Sequence, residues 1–258
     1  MRIVVPVKQV AVVDEDFELV GDGSAVDPDF LEWSLNEWDD FSLEAALQLA
    51  DGDEVVVVTV GDEEATEGLL TCLAKGAARG VRVWEDSLAG ADALAVARVL
   101  AEAVRREQPD LVLCGVQSSD AVNSATGIGL AGLLDLPHVA VVRAISAENG
   151  SLVVERELEG GLVEVVRIGL PALLTVQTGI NEPRYANLRA IKQAREKPLD
   201  VLDLEALGLT ASDVEAASGA RLRKLAVPEA GEGAEMLEGS PAEVAARIRE
   251  IVAERLNG

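Results

Sequence analysis

Over the first 137 residues, short apolar runs alternate with segments of helical periodicity. That alternation constrains the fold more than any other feature of the chain. The runs at 3–7, 55–60, 81–84 and 111–114 are rich in Val and Leu and carry little polar alternation, as strands buried on both faces do. Between them lie helical patterns. One opens at Asp39 or Ser42, runs to Leu49 and closes at Asp51-Gly52; another spans 63–75, with Gly76 as a left-handed stop. An Ala-rich segment follows at 92–106, then a shorter one at 127–134 ended by Asp135 and Pro137. This order predicts an α/β fold of three layers: a doubly wound, mostly parallel sheet with helices on both faces. The runs at 139–145, 152–158 and 163–168 have little helix between them and predict antiparallel strands added at one edge. The last core strand is expected at 172–176.

Composition agrees with buried parallel strands. Hydrophobic residues make up 49% of the chain but aromatics only 3%, so the core is built of Val, Leu and Ala. The 258 residues suffice for one substantial core, expected over 1–200. From 201 to 258 a linker and a C-terminal arm are expected. Residues 200–217 read as helix and turn, 221–227 as a strand, and Gly231-Glu232-Gly233 as flexible. Ser240-Pro241 then caps a final helix over 242–256, with Val244, Ile248 and Ile251 on one face.

The net charge of −24 repels phosphate backbones and anionic lipid, which argues against nucleic acid or a membrane surface as partner. Cys72 and Cys114 sit in apolar runs, and His138 is the sole histidine, so neither a zinc site nor a Ser-His-Asp triad is supported. The chain opens directly on a strand pattern, and no apolar run approaches the roughly 20 residues of a membrane span. A cytoplasmic protein without membrane insertion is expected.

Ligands of an open α/β sheet bind beyond the carboxyl ends of its strands. Three such ends stand out: Pro6-Val7-Lys8-Gln9, Val60-Gly61, and the loop from Gly115 to Gly127. In that loop Gln117, Ser118, Asn123, Ser124 and Thr126 supply polar groups, and Ala125 leaves room for a phosphate to approach backbone N–H donors where a helix begins. A Ser- or Asn-capped helix is the plain alternative. The loop holds neither G-x-G-x-x-G nor the Lys-Ser/Thr of a Walker A motif, so a dinucleotide dehydrogenase and a P-loop NTPase are unsupported. No residue forms a convincing acid, base or nucleophile.

Residues 179–198 read as an exposed loop entering a short helix. Pro183 biases Glu182 away from helix. Tyr185, Leu188 and Ile191 then recur every three residues, surrounded by Arg184, Arg189, Lys192, Arg195 and Lys197. The pattern suits either a docking peptide or an ordinary surface helix.

The wording Asn181-Glu182-Pro183-Arg184-Tyr185, followed by Leu188 and Ile191, closely resembles the partner-recognition loop of the β subunits of electron transfer flavoproteins. Val154–Gly161 with Glu164, the run Pro171-Ala172-Leu173-Leu174-Thr175, the N-terminal Ile3–Val10 and Asn36-Glu37-Trp38-Asp39 resemble the same family in the same order, over residues 1–200. The resemblance implies an electron carrier paired with an α subunit that holds most of an FAD. It also implies a buried AMP lined by Pro6, Asn36, Glu37, Trp38, Asp39 and Val60, with the loop from Gly115 to Thr126 on ribose and phosphate. Trp38 and the segment around Val13 would wall the flavin, although many relatives have an aromatic residue where Val13 stands. Glu37 also departs from the family, which usually has proline there. Glu157 would meet the α subunit, and Leu188 with its neighbours would dock acyl-CoA-type dehydrogenases, the electrons passing on to a quinone reductase. Electron-bifurcating relatives carry a second FAD in place of AMP; the Thr126-Gly127 ending is of the AMP kind. Outside the family, a universal-stress-type nucleotide-binding module would share the architecture.

Overall fold

A computed structural model describes every residue except 15, 149, 228–233, 235 and 257–258. The expected flexible Gly231-Glu232-Gly233 lies outside the described residues. Eleven strands and seven α-helices are described, in the order β1 (Arg2–Pro6), β2 (Gln9–Val13), β3 (Leu31–Leu35), α1 (Glu37–Ala50), β4 (Glu54–Val60), α2 (Thr66–Lys75), β5 (Arg79–Val83), α3 (Ala93–Glu107), β6 (Leu111–Gly115), α4 (Thr126–Leu134), β7 (His138–Glu148), β8 (Ser151–Glu157), β9 (Val163–Gly169), β10 (Ala172–Val176), α5 (Leu188–Ala194), β11 (Leu199–Leu202), α6 (Ala211–Ala217) and α7 (Pro241–Leu256).

Nine strands form one sheet in the order β11-β5-β4-β1-β6-β10-β7-β8-β9. Pairing is parallel from β11 through β7, and β8 and β9 add antiparallel at the far edge. Central β1 shows why its sequence is apolar from Ile3 onward. Ile3 and Val5 face a core formed with Leu43 and Ala46 of α1, Leu69 and Leu73 of α2 and Ala194 of α5. Val4 faces the opposite core, with Val99 and Val104 of α3, Leu130 of α4 and Val214 of α6. Helices therefore cover both faces, as the alternation predicts. The helix ends follow local chemistry: Asp92 caps α3 by accepting from the N–H groups of Leu94 and Ala95, and Gly76 (φ 136°) ends α2.

Three differences from the sequence reading have physical reasons. First, β2 and β3 pair antiparallel as a separate two-stranded sheet that the pattern does not reveal. Second, residues 200–217, expected as a helix-and-turn linker, are part of the first body. β11 runs parallel to β5 as an edge strand, while Leu204, Leu207, Leu209 and Val214 are buried in the core formed with α3. Third, 221–227 is not a strand; Arg221, Arg223 and Lys224 leave it without an apolar face to bury. The chain divides into two compact units, 1–224 and 225–258. The second holds α7, on which Ile248, Val252 and Leu256 are exposed.

Candidate functional site

After β1 the chain moves outward through β4 to β5, then crosses back to β6 on the other side of β1. The connections therefore part at the carboxyl ends of β1 and β6, the position where open α/β sheets bind ligands. A cavity of about 320 Å³ opens there.

The first turn of α1 holds this crevice in shape. Asp39 is buried, and its carboxylate accepts from the Lys8 N–H at 2.8 Å and the Gly115 N–H at 3.2 Å, joining the ends of β1 and β6. Burial pushes its pKa up to about 7, against the opposing pull of these hydrogen bonds, Asn36 and the Lys8 charge. Asn36, also buried, donates from Nδ2 to the Gln117 carbonyl at 2.9 Å and accepts the Ser119 N–H at 3.2 Å. The end of β6 and the loop after it are thus tied to the start of α1 at three points. Gly115 permits the approach: a Cβ there would lie 2.5 Å from Asp39 Oδ1 and 2.6 Å from Trp38 Cβ.

Farther along the loop, Val122 and Ser124 adopt left-handed backbone (φ 51° and 50°), an unfavourable conformation that is most strained for the β-branched Val122. Neither Asn123 nor Ser124 caps α4. Ser124 Oγ donates to Gln117 Oε1 at 3.1 Å, and the N-cap residue Ala125 makes no side-chain cap. The first N–H groups of α4 therefore lack a side-chain acceptor, at the positive end of its dipole and on the cavity wall. The contrast with α3 is direct, because Asp92 already fills that helix N-terminus. An anion entering the cavity meets donors at α4. Lys8 also lines it, with Nζ 2.7 Å from Asp120.

Of the residues singled out from sequence, Pro6, Asn36, Asp39, Val60, Gly115, Gln117, Ser118, Asn123, Ser124, Ala125 and Thr126 line this one cavity. Glu37 and Trp38 stand off it: Glu37 is exposed, and Trp38 Nε1 donates to Gln177 Oε1 at 2.9 Å. The sequence reading missed the apolar part of the lining, to which Trp84, Leu88, Val96, Leu100 and Cys114 contribute. Its one available signal was Trp84, just beyond the carboxyl end of β5.

Glu157 is exposed at the end of β8. Tyr185 (97% exposed) and Leu188 (80%) project outward, with Ile191 less so. Helix α5 begins only at Leu188, capped by Asn187, so Tyr185 precedes it. Arg184 and Lys197 turn inward from the expected ring of base. Arg184 pairs with Glu44, and Lys197 donates to the carbonyls of Leu73 and Ala77 at the end of α2.

The electron transfer flavoprotein domain family matches residues 26–207. The electron transfer flavoprotein subunit beta of Methylophilus methylotrophus is 50% identical over 261 residues, covering 98% of both chains. The chain belongs to the electron transfer flavoprotein β-subunit family. The subunit beta of Bacillus subtilis is 34% identical over 91% of both chains, and the human one 37% identical over 81% of this chain and 84% of its own. Membership in this flavoprotein family removes the universal-stress-type alternative. Among the described residues, no helix is long and apolar enough to cross a membrane, and no cluster of metal-binding side chains is found.

Proposed function

We propose that the chain is the β subunit of a heterodimeric electron transfer flavoprotein, that it holds AMP in the switch-point cavity, and that it walls an FAD carried chiefly by an α subunit. The observation that carries the nucleotide reading is the uncapped N-terminus of α4 on the wall of a cavity that apolar Val60, Trp84, Leu88 and Val96 also line. A phosphate fits the N–H groups and Thr126, a ribose fits the polar loop, and a base fits the apolar wall. The volume of 320 Å³ lies within the range of ligand pockets, roughly 300–1,000 Å³, and the Thr126-Gly127 ending of the loop favours AMP over a second FAD.

FAD supplies the redox chemistry when bound, and no acid or base is asked of this chain. Its surface offers the flavin an apolar edge at Val12 and Val13, both exposed on β2, with Trp38 half-buried and oriented by Gln177. Glu157 is assigned to the α-subunit interface. Leu188, flanked by Tyr185 and Ile191, is assigned to docking acyl-CoA-type dehydrogenases, with a quinone reductase as electron acceptor. Thermal unfolding of nucleotide-stripped protein tests the site. AMP should raise Tm in a concentration-dependent manner, by about 2.7 kcal/mol of stabilisation at a hundredfold excess over Kd. A rise with FAD and none with AMP would favour the bifurcating alternative.

A further inference from the structure

The segment after β10 is braced at both ends and exposed between them. Asn181 Nδ2 donates to the Phe41 carbonyl at 3.0 Å, and Arg184 meets Glu44 through its backbone N–H (3.2 Å), Nε (2.7 Å) and Nη2 (2.9 Å). At the far end Lys197 donates to the carbonyls of Leu73, in the last turn of α2, and of Ala77, just beyond it. Glu44 is an unusual residue for its place: a carboxylate buried in the middle of α1, beside the core residues Leu43, Ala45 and Ala46. An unpaired charge there would be strongly unfavourable. Burial alone would raise its pKa, yet the bonds from Arg184 and Gln48 outweigh this and hold the carboxyl below its ordinary value. The pair is therefore ionised and forked, a geometry that fixes direction as well as distance.

Three residues beyond Arg184 the chain cap Asn187 starts α5, and Leu188 projects from its first turn. We propose that Glu44 is a positioning residue for docking, holding Arg184 by three hydrogen bonds and so setting where Leu188 is presented. The inference rests on the docking assignment made above. It also gives α1 two tasks, since its first turn shapes the cavity and its second braces the docking segment.

The test uses the co-expressed heterodimer carrying Glu44→Gln, Arg184→Lys or Leu188→Ala. Glu44→Gln puts amide hydrogens against a guanidinium. Amide exchange at 181–191 should accelerate roughly tenfold or more, as expected for losing charge-assisted hydrogen bonds. With an acyl-CoA dehydrogenase of the same organism as donor, KM for the dehydrogenase should rise several-fold while kcat and released nucleotide stay constant. Arg184→Lys, which keeps the charge but loses the fork, should show the same split to a smaller degree, and serves if Glu44→Gln does not fold. Unchanged exchange at 181–191, or a fall in kcat and nucleotide content without a change in KM, overturns the proposal. If Leu188→Ala also leaves KM unchanged, the docking assignment itself has failed. If Leu188→Ala raises KM and Glu44→Gln does not, only the positioning role has failed.

Discussion

Replacing Gly115 with alanine should damage the site at its tightest point. The added Cβ would lie 2.5 Å from Asp39 Oδ1, 2.6 Å from Trp38 Cβ and 3.0 Å from the Trp38 carbonyl carbon. Carbon atoms pack at roughly 3.5–4.0 Å, so the start of α1 must retreat by most of an ångström. Overpacking of this kind costs about 1–3 kcal/mol. The retreat also stretches the Gly115 N–H bond to the Asp39 carboxyl, already 3.2 Å long, and a hydrogen bond contributes about 0.5–1.5 kcal/mol, rising to about 1.5–3 kcal/mol where the carboxyl is ionised. A loss near 3 kcal/mol follows, equivalent to a fall in Tm of roughly 6–12 °C for a body of this size. Nucleotide retention should fall with it, because Asn36 and Asp39 move together. Gly132→Ala is the control. It lies within α4 with nothing within 4 Å of the added carbon, and should be neutral or stabilising by about 0.5–1 kcal/mol. Scanning calorimetry and nucleotide content measure both. A Gly115→Ala protein as stable and as fully loaded as Gly132→Ala would refute the clasp between α1 and the ends of β1 and β6.

Asp39 makes stability depend on pH. Its folded pKa of about 7 lies above the ordinary carboxylate value, so between about pH 4 and 7 the folded state binds a proton that the unfolded state lacks. Its contribution is therefore greatest below pH 4 and is lost as pH rises to 7. In urea titrations at pH 5 and pH 8, the stability difference between wild type and Asp39→Asn should narrow in wild type's disfavour on going to pH 8; a constant difference would show that the carboxyl titrates normally. Thr126→Val removes a hydroxyl beside the uncapped start of α4 and should weaken AMP binding by about 1.5–3 kcal/mol, read by calorimetric titration. An unchanged Kd would mean that the hydroxyl takes no part. Leu188→Ala should raise the KM for the dehydrogenase roughly tenfold, since burying a leucine contributes about 1.5–3 kcal/mol, and should leave Tm unaltered because the side chain is already exposed. A lower Tm with unchanged KM would make Leu188 a structural residue.

The parts of this architecture that were legible in the sequence are those where both faces of an element are buried. Ile3, Val4 and Val5 read as a central strand because opposite cores claim alternate side chains. The hairpin of β2 and β3 escaped because it pairs only with itself, and Val12, Val13 and Trp33 stay exposed. Strand β11 escaped because four residues with an aspartate in second place look like a turn, although Leu199 and Leu202 meet the sheet body. At the site, the polar loop from Gly115 to Thr126 was legible from its composition. The apolar wall on the side of α3 was not, since Leu88, Val96 and Leu100 resemble any core residues. Arg184 misled in the opposite sense. Its partner Glu44 lies 140 residues away, so nothing local distinguishes it from a surface charge.

The central claim is that the switch-point cavity holds AMP within a flavoprotein heterodimer. Denaturing the protein co-purified with its α subunit, then identifying and counting the released nucleotides by chromatography and mass spectrometry, tests it most directly. The account predicts about one AMP and about one FAD per heterodimer, the AMP phosphate meeting the uncapped start of α4. Two FAD without AMP, or FAD with no second nucleotide, would contradict it.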